Sequence, residues 1–332
     1  MTDQTKPAHG LLLCGASLLV VAGLAGLLGA YPVSAGELGH YVPGVALIRD
    51  YFVPPPGFYY EQYNVFYTSD TFRDRNGDKV DSIQVGGQTV EVDVDVDVYV
   101  IAPNFIYVTD FKVLGASYGF FVAPTFGNTS VAAELETETE FGLDAEESQF
   151  GLGDLYVRPI WLGWHFGQAE FAASYGFFAP IGKYDADDVD NIGLGMWTHE
   201  FQLAGAYYFD EEQGTALTLA GTYEIHHKKR DVDIRPGSHL TLEYGLSQYI
   251  PITETWLAEV GLTGYSQWQV TDDSGSDAIN KDVHDQVHGA GFQVGLAHLG
   301  FDAALVFRFL HEYGAEDRFE GDLFTLTLFK GF

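Results

Sequence analysis

One cysteine occurs in 332 residues, Cys14, and it lies inside an apolar run near the amino terminus. Leu13 before it is too large for lipoprotein processing and the run continues beyond it, so Cys14 is not read as lipidated. Cleavage beyond that run would leave no thiol at all, which excludes disulfides, thiolate metal sites and cysteine nucleophiles. Basic residues are scarce: 16 Lys and Arg stand against 47 Asp and Glu, for a formal net charge of −31. A phosphate backbone needs a positive footprint, so nucleic acid is excluded as a partner. After Ala35 no apolar run is long enough for a membrane helix. H-E-x-x-H and P-loop patterns are absent, and the chain is not expected to be an enzyme.

Against these absences stands an alternation. Residues 90–102 read VEVDVDVDVYVIA, with valine at every even position from Val90 to Val100 and Glu91, Asp93, Asp95 and Asp97 between them. A strand sends successive side chains to opposite faces, so the segment has one apolar and one acidic face, whereas helical spacing would mix them. β-Branched valine favours the extended state as well. A soluble barrel could not hold the acids in its core and would wear the valines outside. The expectation is therefore a transmembrane barrel with its valines on lipid and Glu91, Asp93, Asp95 and Asp97 in the lumen, because non-helical structure spans a bilayer only as a closed sheet.

The remaining sequence repeats the theme. Residues 1–35 read as a signal peptide cleaved after Ala35, with Lys6 as a weak positive start; a retained membrane helix is the competing reading. Residues 36–56 are expected to form a periplasmic N-terminal segment and residues 57–332 the barrel. Twelve strands are predicted: 58–68, 89–102, 113–123, 154–162, 169–180, 197–208, 215–226, 239–249, 256–270, 287–298, 301–311 and 323–332. The connections alternate between long, acidic stretches such as 69–88, 124–153 and 271–286 and short ones such as 163–168, 209–214 and 299–300. This is the asymmetry of long extracellular loops and short periplasmic turns, and it gives an all-β, antiparallel transmembrane barrel in the outer membrane of a Gram-negative bacterium. Trp161, Trp164 and Trp256 beside short turns, and Trp197 and Trp268 near long loops, are expected to form two interfacial belts. Phe332, the last residue, ends the alternating LFTLTLFKGF and is read as an assembly signal for barrel-insertion machinery.

Carrying the alternation along each strand gives further lumen residues: Asp154, Tyr156, Arg158, Glu200, Gln202, Glu224, Glu243, Glu259, Gln267, Asp302 and Arg308. Two arginines against many carboxylates suggest a bracing network of ion pairs; a constriction whose charge selects solutes is the functional alternative. Asp74, Asn76 and Asp78 in DRNGDKVD open like a calcium loop, yet Val85 stands at the twelfth place, where an acid is wanted. Apart from that candidate no cofactor is expected. Clusters at Asp185–Asp190 and Asp272–Asp277 read as solvated loops or as bridges to glycolipid phosphates. His226, His227 and His239 flank a loop holding Lys228, Lys229 and Arg230, which reads as an exposed loop or a phosphate contact. His199 faces outward with no serine evident beside it.

HYVPG (40–44), VPPPGFY (53–59), FGLGDLYVRP (150–159), Asp190–Gly195 and LHEYGAEDRFEG (310–321) resemble the phenol meta-pathway degradation family, also called SphA-like. The resemblance covers nearly all of residues 36–332. It implies an outer-membrane transporter that admits small aromatic or hydrophobic compounds by passive diffusion, with outer-membrane lipid and lipopolysaccharide around it. It supplies no binding residues. The alternative is a structural or adhesive barrel with a plugged lumen.

Overall fold

The computed structural model describes residues 38–85, 88–137, 142–186 and 191–332. The expected signal peptide, residues 1–35, lies outside them. Twelve antiparallel strands form one closed sheet: β1 Gly57–Ser69, β2 Gln88–Val113, β3 Ala116–Ala123, β4 Leu155–Phe166, β5 Ala169–Ala179, β6 Thr198–Tyr208, β7 Thr215–His226, β8 His239–Pro251, β9 Trp256–Gln269, β10 Gln286–His298, β11 Ala303–Glu316 and β12 Asp322–Gly331. Each strand pairs with its sequence neighbours, and β1 closes the ring by pairing with both β12 and β2. All twelve predicted segments are barrel strands.

The polarity of the wall follows the side-chain period of two. Along β6, Thr198, Glu200, Gln202, Ala204, Ala206 and Tyr208 are buried while Phe201, Leu203 and Tyr207 are exposed. On β12, Thr325 and Thr327 are buried and Leu326 and Leu328 exposed. An apolar outside around a polar inside is the arrangement of a barrel whose solvent is lipid. Tyr99, Phe66, Phe324, Phe309 and Phe292 are successive cross-strand partners on the outer face, giving a ladder of aromatics across five strands.

The expected connection 103–112 belongs to β2, which turns directly into β3 through Leu114 and Gly115. Both have positive φ (51° and 80°), the conformation of a two-residue hairpin whose twist matches its strands. The expected loop 124–153 contains a hairpin, Phe126–Thr137 with Gly142–Leu152, that pairs with the far half of β2. β2 thus runs past the last residue of β1 at Val96 and rises beyond the rim. In β4 the ladder shifts register between Val157 and Ile160, around Pro159, which has no N–H to donate. That irregularity moves the inward phase from Tyr156 and Arg158 to Trp161 and Gly163.

Candidate functional site

The lumen contains the chain's own N-terminal segment. From Pro56, at the short-turn end, residues 55 to 38 run back up inside the sheet toward the long loops, touching nearly every strand in turn. This corrects the periplasmic placement of residues 36–56 for the described part, residues 38–56. Near the short-turn end, Trp161 Nε1 donates to Tyr51 O (3.0 Å) and Tyr63 OH to Asp50 Oδ2 (2.7 Å). Arg49 donates to Ser247 Oγ (2.9 Å) and to the carbonyls of Gln213 (2.8 Å) and Gly214 (2.7 Å), and lies over the Tyr249 ring at 3.9 Å. At mid-height Arg308 donates to the carbonyls of Gly44 (2.9 Å) and Ala46, while Gly44 N donates to Glu243 Oε1 (2.8 Å) and Tyr41 OH to Glu243 Oε2. At the long-loop end Glu224 Oε1 accepts the amides of His40 (3.1 Å) and Tyr41 (2.9 Å). There the His40 ring bonds Asp154 (2.9 Å) and Thr198 (2.7 Å) and stacks on Phe178.

These contacts place the sequence-derived residues. Asp154, Arg158, Glu200, Glu224, Glu243, Glu259 and Arg308 are buried and face the lumen, as do Tyr156, Gln202 and Gln267. Arg158 and Glu200 form an ion pair (3.0 Å) joined by Tyr156 OH, which donates to Glu200 (2.5 Å). Arg308, by contrast, spends its donors on carbonyls of the plug and on Gln293 (2.6 Å). Asp154 likewise takes His40 and the amides of Gly182 (2.9 Å) and Leu194 (2.8 Å), tying a long loop to the plug. For Glu224 and Glu243 the donors that the wall lacks are amides of the N-terminal segment. Glu61, Asn104, Glu170, His226, His239, Gln293 and Glu312 are further buried lumen groups that the sequence reading passed over.

Five expected lumen residues lie elsewhere. Glu91, Asp93, Asp95 and Asp97 are exposed, whereas Val90, Val92 and Val96 are buried. Val100 is the cross-strand partner of Val65 and packs against the same buried cluster as Val45 of the plug, so the even positions of β2 point inward. The two faces were read correctly and assigned the wrong way round. The acids begin just beyond Tyr99, on the loop side of the aromatic ladder, where water and not lipid surrounds the sheet and the polar face belongs outside. Asp302 sits at the end of the turn between β10 and β11 with φ 47°, exposed at the opposite rim.

At the short-turn end the plug leaves a cavity of about 700 Å³, lined by Phe52, Val53, Pro54, Trp161, Leu257 and Phe329 with Arg49 and Lys112 among them. The expectation that the chain has no G-x-S-x-G is corrected by Gly115–Gly119, which spells it, but on a hairpin and not on the strand-to-helix elbow that exposes a nucleophile. Ser117 Oγ there accepts from Lys112 Nζ (2.7 Å).

In the loops, Asp74 Oδ1 accepts the amides of Asn76 (2.8 Å) and Asp78 (3.0 Å), and Asn76 Nδ2 donates to Oδ2 (3.2 Å). Burial is the largest single influence on the Asp74 carboxyl and pushes it up, but these bonds together hold it below its usual range. They also give its oxygens a role in the turn. Asp273 and Asp277 accept loop amides from Gly237 and Asp233, and 187–190 of the acidic cluster lie outside the described residues. His199 is linked to Tyr175 (2.8 Å) and His227 (3.1 Å) on the outer face. Of the tryptophans, Trp197 and Trp256 are exposed at opposite ends, but Trp161 is buried against the plug. Phe332 packs on Phe58 (5.6 Å) and its amide donates to Phe58 O (3.0 Å).

The model of the family described as "MetA-pathway of phenol degradation" matches residues 69–328. Among solved structures, the COG4313 outer membrane channel from Pseudomonas putida F1 superposes with a TM-score of 0.58 at 17% identity, over 88% of this chain and 100% of that one. The β domain of the Bordetella autotransporter BrkA gives a TM-score of 0.44 at 12% identity, over 83% and 100%. A Pseudomonas aeruginosa FadL homologue gives 0.38 at 10%, over 90% and 96%. No curated protein matches the sequence. The fold is that of an outer-membrane barrel, and a Gram-negative outer membrane is its location.

Proposed function

The chain belongs to the MetA-pathway of phenol degradation family, and from that premise we propose that it is a channel admitting small aromatic or hydrophobic compounds by passive diffusion. The observation that carries this reading is the cavity between plug and wall. Its Phe52, Val53, Pro54, Trp161 and Phe329 present apolar surface to a ring-sized solute, and its charged lining mixes Arg49 and Lys112 with Asp50, Glu61, Glu170 and Glu259. Ligand sites commonly combine such walls with a few polar groups. The plug is tethered mainly by hydrogen bonds to charged side chains, each worth about 1.5–3 kcal/mol net, so its parts can yield one at a time while the barrel stays closed.

A structural barrel is the second reading, favoured by the continuity of plug contacts from His40 to Pro55. Flux into liposomes separates them, using a panel of aromatic acids and neutral aromatics. The channel reading expects the folded protein to accelerate entry of some members, with Arg49→Gln changing the ratio of acidic to neutral solutes. Equal leakage with and without protein would favour the structural barrel.

A further inference from the structure

We propose that Glu224, His226 and His239 form a binding site for a divalent transition-metal ion of the zinc class, at the long-loop end of the lumen. The strands bring the three together. Glu224 and His226 are two apart on β7 and so share its inward face. His239 opens β8 directly across the ladder from Glu224. All three are 1% exposed, and one ligand atom from each lies within 4.8 Å of the other two.

The outward atoms of each group are already held, which leaves the convergent ones for an ion. His226 Nδ1 is bonded to Thr198 Oγ1 (2.8 Å), and His239 Nε2 to Asp285 Oδ2 (3.3 Å). His226 Nε2 and His239 Nδ1 are hydrogen-bonded to each other at 3.1 Å, and an ion would take the place of the proton between them. Glu224 Oε1 takes the His40 and Tyr41 amides, and its Oε2 is buried with no hydrogen-bond partner. A buried carboxylate oxygen left without a donor is costly, and an ion would satisfy it. Two imidazoles and one carboxylate are a known donor set for zinc, with bonds near 2.0–2.2 Å. A hydroxyl or carboxylate on each imidazole's other nitrogen is the outer-shell arrangement that fixes tautomer and ring orientation.

Two neighbouring features agree. Gly39 passes so close that an added Cβ would meet Glu224 Oε2 and lie 3.3 Å from His226 Cε1, so the plug backbone roofs the cluster. The surroundings supply negative charge: Asp285 at His239, and Asp154 across Thr198 and His40. Arg235, donating to His226 O (2.8 Å), and Arg318, 3.6 Å from Asp285, oppose it. Because Glu224 also holds the tip of the plug, metal and plug would bind cooperatively. The site itself rests on its donors alone, whatever passes through the barrel.

The test is metal binding to the folded, full-length protein in detergent, stripped with a chelator and titrated with zinc by calorimetry and with cobalt by visible absorption. About one equivalent is expected, with cobalt bands of a four- or five-coordinate nitrogen and oxygen site. Glu224→Gln and His226→Gln should each weaken binding at least 30-fold. Asp285→Asn, one shell out, should weaken it about 10–100-fold. His199→Gln with His227→Gln, at the exposed outer pair, should change nothing. Heat-modifiable gel mobility certifies that each variant is a folded barrel. Absence of binding in the folded wild type would overturn the proposal. So would binding that survives Glu224→Gln and His226→Gln combined, or that disappears only with the outer pair.

Discussion

Gly44→Val is expected to unseat the plug without touching the barrel. Gly44 has φ +82°, a conformation that a β-branched residue rarely adopts, and holding valine there costs about 1–3 kcal/mol. An added Cβ would overlap Leu310 Cδ1 and meet Tyr265 Cε1 at 3.0 Å and Leu323 Cδ2 at 3.1 Å. All three neighbours are wall residues no more than 2% exposed, with little room to retreat. Overpacking of this kind adds about 1–3 kcal/mol. The sum, about 2–6 kcal/mol, bears on the plug alone, since residue 44 takes no part in any strand. At tenfold per 1.4 kcal/mol it shifts the seated fraction by roughly 30-fold to four orders of magnitude. Gly44→Ala, sharing the φ penalty with a smaller clash, should fall between. Single-channel conductance in planar bilayers should rise from wild type through alanine to valine, and added protease should cut the N-terminal segment in the same order. Folded Gly44→Val with wild-type conductance and a protected N-terminal segment would refute the reasoning.

The acidic ladder gives a second expectation. Asp95→Asn should leave folding within about 0.5 kcal/mol of wild type, as at other exposed sites, while Val96→Asp, buried beside it, should cost about 3 kcal/mol or more. Urea unfolding in detergent checks both, and the reverse ranking would restore the lipid-facing valines. A third concerns pH. Asp317, in the loop between β11 and β12, is raised to about 7 by burial and by the nearby charge of Asp285, with Arg75 opposing. Its folded-state proton is thus held to a higher pH than in the unfolded chain, where a carboxyl releases it near 4. The folded loop binds the extra proton between these values, so its stability should fall as pH rises from about 4 to 7. The protection factor at Glu320 N, bonded to Thr71 O at 2.9 Å, which takes the exchange rate relative to the intrinsic rate at each pH, should fall over that range in wild type and stay level in Asp317→Asn. Finally, deletion of Phe332 should reduce membrane-inserted, heat-modifiable protein and leave unfolded chain in the periplasm; normal levels would remove its assembly role.

The legibility of these features in the sequence differs by kind. Strand number and position were plain, because lipid forces an apolar residue at every second place over whole segments such as Thr215–His226. The direction of a face was legible only at bilayer depth. Above Tyr99 the outside medium changes from lipid to water, and the same alternation in Val90–Val100 then means the opposite. Inward residues such as Glu224, Glu243 and Arg308 were found by period alone, but their partners were not. Those partners are amides and carbonyls of residues 40–46, and a backbone group leaves no mark in composition. His226 and His239 read as an exposed basic loop because Lys228–Arg230 lie between them in sequence. The ladder joins them across that loop, so their chemistry is a property of register.

The position of the plug inside the ring also fixes an order of events during folding. Residues 38–56 come first in the described chain, yet their partners are scattered from Tyr63 to Leu323. The bond between Gly44 and Arg308 spans 264 residues, and that between His40 and Glu224 spans 184. Contacts so distant form slowly and late, after nearer ones have reduced the entropy of closure. β1 must meanwhile keep its outer edge free until β12 arrives, since that pairing seals the ring around the segment. Seating of residues 38–56 is therefore a timer on barrel closure. A chain whose amino terminus has become protected from protease is one whose first and last strands have already met.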